Sequence, residues 1–483
     1  MKYFRLTGST KSKLFEGLDE DVLPKTFLDA IAVARRLRVG YLWIDSLCIF
    51  QDSKSDWQAE SSRMGDVYSG SFCNIAATAA TNPAGGIFCQ NLERRLTAAA
   101  CIVKAKQSIF SRRKSCLLYN EGFWTQETDG LPLLTRGWVI QERILAPRTI
   151  HFTKCQVFWE CSHTVACETF PRGLPLPVFA TDVSLRWKQR LPFAITDLSP
   201  WWRRKEKIIK RPSELGQEEH DAPSTWKLFV EAYTRCELTK EWDKLPALAG
   251  IVKLMRPLFQ CRYLAGLWEK NFLHQLLWYV SGSKSRRPTY RAPSWSWASV
   301  DGPIEYPDFW NDTNFVGVTL VDVQLKYVKL EGVPDDDTLE VSGGYIQVEA
   351  PLVLVRSLRC DSDYSTAHSK FNLNKAEIGG RTVSVSVNLD IETEDLGTFQ
   401  HFLPLRRDWR GSVAGLLLRP AGRPKTGFQR LGRMDIRDSS DIRIVGDKKG
   451  RAGCSYCSKR VAYFPTQNER SGIKMNLTTI RII

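Results

Sequence analysis

The chain has 483 residues, of which 43% are hydrophobic and 25% are charged, so it can bury a sizeable core and is neither a disordered tail nor a short disulfide-stapled module. Its length predicts roughly two to four domains. Lysine and arginine outnumber aspartate and glutamate by 68 to 53, a net charge of +15. This excess permits contact with nucleic acid, anionic lipid or acidic partners but requires none of them.

Two features of the composition predict a soluble, cytoplasmic protein. No stretch approaches the ~18 consecutive apolar residues that a membrane span needs, and the first residues lead into a polar segment rather than a secretory apolar core. The 13 cysteines are odd in number and scattered through apolar contexts. This pattern favours reduced, buried thiols over a disulfide framework.

The first ninety residues alternate between helical and strand-like patterns. Residues 24–37 have helical spacing, and residues 41–45 form a short apolar run that predicts a buried strand ending on Asp45. A capping box at Ser55 predicts a helix to about residue 68, and residues 71–78 predict a second strand. Because short connections separate these elements, we expect a parallel sheet flanked by helices.

The middle of the chain is mixed. Residues 135–145 predict a helix, and residues 148–152 and 156–160 predict a hairpin in which Ile150 and Phe152 face Val157 and Trp159. Residues 264–280 predict a further helix.

From about residue 290 onward the pattern indicates β-structure. Residues 294–297 (SWSW) alternate in polarity, which predicts a strand with Trp295 and Trp297 packed on one face. The same period of two recurs in residues 316–325 and 383–387. The expected fold is therefore an α/β N-terminal domain, a mixed region and a β-rich C-terminal part.

Two-thirds of the net positive charge lies near the end of the chain. Residues 419–483 contain fifteen lysines or arginines and five aspartates or glutamates. These basic residues are dispersed among glycine, serine and aspartate, so a solvated, partly disordered tail is favoured over a nucleic-acid-binding patch.

Several blocks of sequence resemble the fungal heterokaryon incompatibility (HET) family in order and spacing, across roughly residues 5–302. The N-terminal blocks are residues 23–27 (LPKTF), 41–49 (YLWIDSLCI), 56–60 (DWQAE) and 64–68 (MGDVY). The later blocks are residues 135–143 (TRGWVIQER), 158–161 (FWEC), 244–248 (KLPAL), 263–268 (YLAGLW) and 292–299 (APSWSWAS).

The resemblance sets expectations for the domain organisation. Family members open with a strand-like block that this chain lacks, so we expect an incomplete, N-terminally truncated HET domain with an unpaired sheet edge. The expected divisions are a HET domain over residues 1–146, a mixed α/β extension over 147–290, a β-rich region over 291–420 and the basic tail over 421–483.

The resemblance also implies a function. HET proteins act in non-self recognition and in regulated cell death after incompatible fungal cells fuse. The HET domain is in turn similar to the TIR domain, some of whose members hydrolyse NAD through a glutamate placed after a tryptophan. Trp57 and Glu60 have the analogous spacing here.

Glu60 is the candidate catalytic residue. On a helix it falls within the stripe shared by Trp57, Met64 and Tyr68, and an inward-facing carboxylate must be neutralised, paired or placed at a ligand cavity. An ion pair with Arg136 or Arg143 is one interpretation. The other is a role in NAD hydrolysis, holding ribose hydroxyls and stabilising the developing positive charge.

The remaining candidate ligand-binding residues also have structural interpretations. Asp45, followed by Ser46, either caps a turn or lines the same cavity as Glu60. Gln141 and Glu142 interrupt an apolar helix that begins near Arg136, and we favour a structural polar network for them. Trp57 completes this candidate set.

No metal site is expected. Cys155, Cys161, His163 and Cys167 lack a paired Cys-x-x-Cys knuckle, and residues 454–457 (CSYC) form such a pair with no second half nearby. Motifs for nucleotide triphosphatases, Rossmann dehydrogenases, zincins and serine hydrolases are absent from the sequence.

Three functions stay open at this stage. The first is a signalling effector or adaptor that acts through protein partners or self-association and requires no cofactor. The second is an NAD-hydrolysing enzyme centred on Glu60, with NAD as substrate. The third, which we disfavour, is nucleic-acid binding through the basic tail.

Overall fold

In the computed structural model of this protein, the described residues fall into two units. The first comprises Met1–Asp221 and Cys236–Pro257, and the second comprises Ala222–Arg235 and Leu258–Ile483. Among the described residues, none of the helices combines the length and apolar character that a membrane crossing requires. The structure describes residues 3–88, 100–103, 116–119, 122–175, 188, 222–282, 289–307, 323–331, 341–360, 373–378, 380–391, 400–407, 412–421, 427–436, 444–445, 473–474 and 477–483.

The predicted helices of the first unit are confirmed with small changes at their ends. The helix predicted from residue 55 begins at Lys54, and its cap is Ser53, whose Oγ accepts a hydrogen bond from the Asp56 amide at 3.2 Å. The predicted capping box at Ser55 is therefore wrong, because that residue already lies inside the helix. The α-helices are α1 Lys11–Glu16, α2 Lys25–Arg36, α3 Asp45–Cys48, α4 Lys54–Ser69, α5 Phe123–Thr128, α6 Gly137–Leu145, α7 Ala222–Thr234, α8 Ala249–Phe259 and α9 Phe272–Gln275.

A four-stranded mixed sheet forms the centre of the first unit. Its strands are β1 Asn74–Ala76, β4 Arg148–Phe152, β5 Val157–Cys161 and β6 Val165–Cys167, in the order β1-β4-β5-β6. β1 and β4 run parallel, whereas the other pairs are antiparallel. A separate hairpin joins β2 Ala100–Val103 to β3 Cys116–Tyr119. The predicted combination of sheet and helices is confirmed, and the similarity to TIR domains stays a prediction.

The predicted hairpin is confirmed in its register. Ile150 pairs with Trp159 and Phe152 pairs with Val157. Four side chains on the other face of this hairpin are buried: Thr149, His151, Phe158 and Glu160. Three of these four are polar, so the sheet turns polar groups toward the interior.

The strand predicted for residues 41–45 is wrong. Ile44 has an extended backbone, but no strand among the described residues pairs with this segment, and the Tyr41 side chain is 94% exposed. Asp45 instead begins the short helix α3. An apolar run becomes a strand only where a neighbour satisfies its backbone hydrogen bonds, so the parallel pair of this unit involves β1 and β4 instead.

The helix predicted for residues 264–280 is also wrong. Ala265 and Gly266 have φ values of 45° and 98°, which close a tight turn between two short strands. Those strands are β7 Tyr263–Leu264 and β8 Leu267–Trp268, and they are followed by α9 and by β9 Tyr279–Val280, which pairs with β10 Ile304–Glu305.

The SWSW segment forms no strand. Trp295 and Trp297 are fully buried, and Trp297 begins a 3-10 helix whose cap is the Ser296 hydroxyl. The Trp297 indole donates to the Gly266 carbonyl at 2.8 Å, and a Cβ at Gly266 would come within 2.8 Å of the same indole nitrogen. The predicted strand is wrong because this packing against a glycine turn, rather than a sheet face, buries the indoles.

The β-rich C-terminal prediction is confirmed as a closed six-stranded barrel. Its ring follows the order β18-β15-β14-β13-β16-β17, and β17 closes back onto β18. Residues 381–389 form one barrel strand, as the alternation at 383–387 predicted, whereas residues 316–322 lie outside the described part of the chain. The remaining strands are β11 Gln324–Glu331, β12 Gly343–Pro351, β13 Val353–Cys360, β14 Leu373–Ile378, β15 Arg381–Leu389, β16 Gln400–Arg407, β17 Val413–Pro420, β18 Phe428–Ile436, β19 Ile444–Val445, β20 Ile473–Lys474 and β21 Leu477–Ile482.

The barrel has an aliphatic core with one charged pair outside it. Twelve buried residues form the core cluster, all of them apolar, among them Val355, Phe402 and Leu417. Arg430 and Asp390 are fully buried and pair at 2.8 Å, and the same guanidinium donates to the carbonyls of Leu276 and Trp278. The pair therefore anchors β18 to the segment that contains α9.

Candidate functional site

The most enclosed acid in the first unit is Glu160 on β5. Its side chain is fully buried, and Arg143 on α6 donates to both of its oxygens, from Nε at 2.8 Å and from Nη2 at 3.2 Å. His151 Nε2 lies 3.0 Å from Glu160 Oε2. These contacts join helix α6 to both strands of the hairpin.

Further groups enclose this cluster. The Trp124 ring meets His151 edge-on at 5.9 Å, and the Arg143 guanidinium lies 5.5 Å from the same indole. His151 Nδ1 contacts the Thr78 hydroxyl at 3.3 Å. The buried ammonium of Lys188 donates to Thr149 Oγ1 at 2.8 Å. A polar group buried in this way keeps its partners, because losing one leaves an unsatisfied charge.

The charges in the cluster shift its titration. Burial alone would raise the pKa of Glu160, but the Arg143 charge and the hydrogen bond to His151 hold that pKa well below its usual range. Burial lowers the pKa of His151, and it also lowers the pKa of Lys188 to about 8. Glu160 is thus an anion at neutral pH, and it is held by an arginine whose side chain is itself buried. We assign this cluster to the stability of the sheet.

A second group of titratable side chains lies nearer the surface. Glu142 on α6 is half-buried and hydrogen-bonds to Tyr68 at the end of α4, while Asp45 and Arg136 act on both groups electrostatically. The Trp43 ring meets the Tyr68 ring edge-on at 5.7 Å. The structure therefore brings together three of the residues chosen from sequence, Asp45, Arg136 and Glu142.

The environment of Glu142 makes its proton hard to release. Burial raises the pKa of Glu142 to about 7, while the Tyr68 hydrogen bond and the Arg136 charge pull it downward by smaller amounts. Burial likewise raises the pKa of the Tyr68 hydroxyl. A carboxyl group that titrates near neutrality can donate or accept a proton there, the property that general acid–base chemistry uses.

Glu60 lies on α4 at the edge of this region. Its side chain is 26% exposed and pairs at 3.1 Å with Arg63, one turn further along the same helix. The partners expected from sequence, Arg136 and Arg143, are wrong for Glu60, since Arg143 binds Glu160 instead. An acid three residues before an arginine makes a local helical pair, and that nearby signal was overlooked.

Trp57 is directed toward a different part of the unit. Its ring meets Trp138 on α6 edge-on at 6.1 Å, and the Lys240 ammonium lies 5.2 Å from its centre. Trp138 Nε1 donates to Asp243 Oδ2 at 2.9 Å.

Asp45 and Ser46 make local contacts. Asp45 is exposed, and its Oδ1 accepts a hydrogen bond from the Ser46 amide at 2.7 Å, at the first turn of α3. Ser46 is buried, and its carbonyl accepts a hydrogen bond from the Leu6 amide at 2.9 Å. Asp45 is the first residue of α3 rather than its cap, which is Ile44, and the helix has no side-chain cap hydrogen bond. The role of Asp45 stays a prediction.

Gln141 takes part in a tight contact between distant segments. Its side chain is fully buried, and Oε1 accepts from the Gly250 amide at 3.1 Å. A Cβ at Gly65 would come within 2.9 Å of Gly250 Cα. Two glycines therefore allow α4 to approach the start of α8 at backbone distance, and Gln141 secures that approach.

A comparison with protein families decides what these elements belong to. Residues 5–142 match the family model described as heterokaryon incompatibility protein (HET). These residues form a HET domain. The domain indicates a function related to heterokaryon incompatibility, and the resemblance found in the sequence is confirmed over this range. No curated protein matches the chain, and no solved structure does.

The described residues of the HET domain and of the hairpin that follows it show no metal centre. Among the described residues, no three histidine, cysteine or acidic side chains come together as a metal would require. This part of the chain includes Cys155, Cys161, His163 and Cys167, whereas residues 454–457 lie outside it.

Two residues of the sites were missed from sequence. Glu160 lies beyond the matched range of the HET domain, and the signal that could have found it is its position two residues after Phe158, on the same face of the predicted strand. Tyr68 was noted only as part of the helix stripe. Its hydrogen bond to Glu142 depends on the packing of α4 against α6, which spacing along the chain does not reveal.

Proposed function

We propose that this protein is a signalling effector or adaptor in fungal non-self recognition, acting through protein contacts to bring about regulated cell death. The HET domain over residues 5–142 supports the process. The observation that favours contacts over chemistry is the position of Glu60, whose carboxylate is engaged by Arg63 on the helix surface. Trp57, its proposed companion, packs against Trp138 instead.

The experiment compares cell death with NAD content in a fungal host. The full chain is expressed beside Glu60→Ala, with Arg63→Ala as the matched control that breaks the same ion pair from its other side. We expect all three chains to cause an equal loss of viability. NAD content should fall only after viability is lost, not before. Early NAD depletion by the parent chain that Glu60→Ala abolishes and Arg63→Ala retains would contradict the adaptor proposal.

NAD hydrolysis is the second candidate, and a specific observation favours it. Asp45, Arg136 and Glu142 gather around Tyr68 beside Trp43, so carboxylates, a cation and aromatic rings lie within one region. Such a set could hold a ribose and a phosphate. Purified protein incubated with NAD tests this directly, and release of nicotinamide that Glu60→Ala or Glu142→Gln abolishes would support it.

A further inference from the structure

The first unit holds a lysine ammonium against two indole rings. Lys240 Nζ lies 5.2 Å from the centre of the Trp57 ring and 5.9 Å from that of the Trp242 ring. Both distances fall within the roughly 6 Å at which a cation is attracted by an aromatic face. We call Trp57 and Trp242 the indole clamp.

The two walls of the clamp differ in how firmly they are held. Trp57 projects from α4 and is supported edge-on by Trp138, whose Nε1 donates to the buried carboxylate of Asp243. Trp242 is 54% exposed, and Lys240 is also exposed. One wall is therefore fixed, the other is accessible, and the Lys240 ammonium of the same protein lies close to both rings.

An outside cation can compete for this position. The primary ammonium of a lysine is compact and strongly hydrated, so an exposed lysine gives up much of its attraction to the rings in favour of water. A quaternary ammonium lacks N–H donors and is the cation that aromatic cages recognise.

We propose that the indole clamp binds the trimethylated lysine side chain of a partner protein, with Lys240 occupying the clamp in its absence. The open Trp242 wall suits a side chain presented on a larger molecule. This proposal rests on the proposed function in one respect, since it supplies a contact for an adaptor that acts through partners.

The test measures binding of two probes to the full chain by tryptophan fluorescence and calorimetry. The probes are a short peptide carrying trimethyllysine and the same peptide carrying its neutral carbon isostere, in which carbon replaces the charged nitrogen. We expect the charged peptide to bind about tenfold more tightly than the neutral one. Trp242→Ala should abolish this preference, whereas Lys240→Ala should raise affinity for the charged peptide.

Controls and contrary outcomes are well defined. Tyr41→Ala removes another exposed aromatic ring outside the clamp and should leave both affinities unchanged, while circular dichroism checks that Trp242→Ala stays folded. Equal binding of the two peptides, or no binding by Lys240→Ala, would overturn the proposal. Tetramethylammonium that binds while the peptide does not would overturn the assignment to a partner protein. The viability experiment does not depend on peptide binding. If neither peptide binds and the Trp242→Ala chain still causes normal cell death, the clamp proposal fails while the proposed function stands.

Discussion

The sheet of the first unit and the barrel of the second place their buried charges differently. On the inner face of the hairpin lie Glu160 and His151, bound to Arg143 from α6. The barrel core cluster contains only apolar residues, and its charged pair, Arg430 with Asp390, lies outside that cluster. The same alternation along a strand thus places a charged pair on the inner face of the sheet in one unit and an apolar cluster inside the barrel in the other.

This difference teaches where each unit is sensitive to change. An aliphatic core tolerates substitutions that keep its volume, whereas a buried ion pair depends on both partners at once. The sheet should therefore fail when one charge of its pair is removed, whereas the apolar core cluster of the barrel should lose stability in proportion to the volume removed.

The largest expected effect comes from removing one charge of the buried pair. Arg143→Met leaves Glu160 without its main cation and should lower the free energy of unfolding of the first unit by about 3–5 kcal/mol. Hydrogen exchange of peptides from the hairpin measures the loss. The double variant Arg143→Met with Glu160→Met should recover much of it, and a double variant as unstable as the sum of both single variants would refute this account.

The next effect is a dependence on pH that originates at Glu142. Its pKa is raised from 4.5 to about 7, so between these values the folded chain holds a proton that the unfolded chain has released. Its contribution to stability is therefore present below pH 4.5 and declines by about 1 kcal/mol per pH unit as the pH rises toward 7.

Thermal unfolding of the parent chain and of Glu142→Gln across this range isolates that contribution. The difference between them should shrink steadily at lower pH. Because the hydrogen bond from Tyr68 lowers the pKa of Glu142, Tyr68→Phe should extend the range upward. His151 acts in the opposite direction, because its lowered pKa removes stability as the pH falls below 6.5. The parent chain and both variants contain His151, so its contribution cancels when they are compared. Identical pH profiles for parent and Glu142→Gln would show that Glu142 titrates normally.

A smaller effect is expected from trimming the barrel core. Ile378 is buried within the aliphatic cluster, and Ile378→Val should lower the free energy of unfolding of the second unit by about 1 kcal/mol. Hydrogen exchange of peptides from strands β14 and β15 provides the measurement. A loss as large as that of Arg143→Met would remove the contrast between the two interiors.

The smallest effect concerns the surface pair of Glu60 with Arg63. Removing either partner by substitution with alanine should change stability by no more than about 0.5 kcal/mol, because Arg63 is largely exposed. Thermal unfolding in low and in high salt checks this value. A loss of several kcal/mol would mean that Glu60 has a buried partner.

Local patterns in the sequence predicted those elements that short-range rules control. The helices near residues 24–37 and 135–145, the hairpin and its register, and the alternation at 383–387 all follow from periodicity and turn chemistry. The strand at 41–45 and the helix at 264–280 failed for two reasons. Among the described residues, the segment 41–45 has no neighbouring strand to pair with. The segment 264–280 contains a turn at Ala265 and Gly266, which its apolar periodicity did not reveal.

For the candidate sites, too, sequence identified what local patterns determine and missed what long-range packing determines. Sequence selected Asp45, Arg136 and Glu142, which lie close together, but it could not supply Tyr68, because that contact depends on how two helices pack. It also assigned Arg143 to the wrong acid. Opposite charges far apart along the chain can pair in many ways. Only the packing of α6 against β5 determines that Glu160 is the partner of Arg143.

The approach of Gly65 to Gly250 has a practical consequence for dissecting this protein. The family match ends at residue 142, yet one surface of α4 within it is covered by a segment that begins about a hundred residues later. A fragment cut at residue 142 would leave that surface open to solvent and would also lack both members of the buried Arg143–Glu160 pair. Deletion mapping or domain exchange should therefore carry residues 143–175 and 236–257 along with residues 5–142.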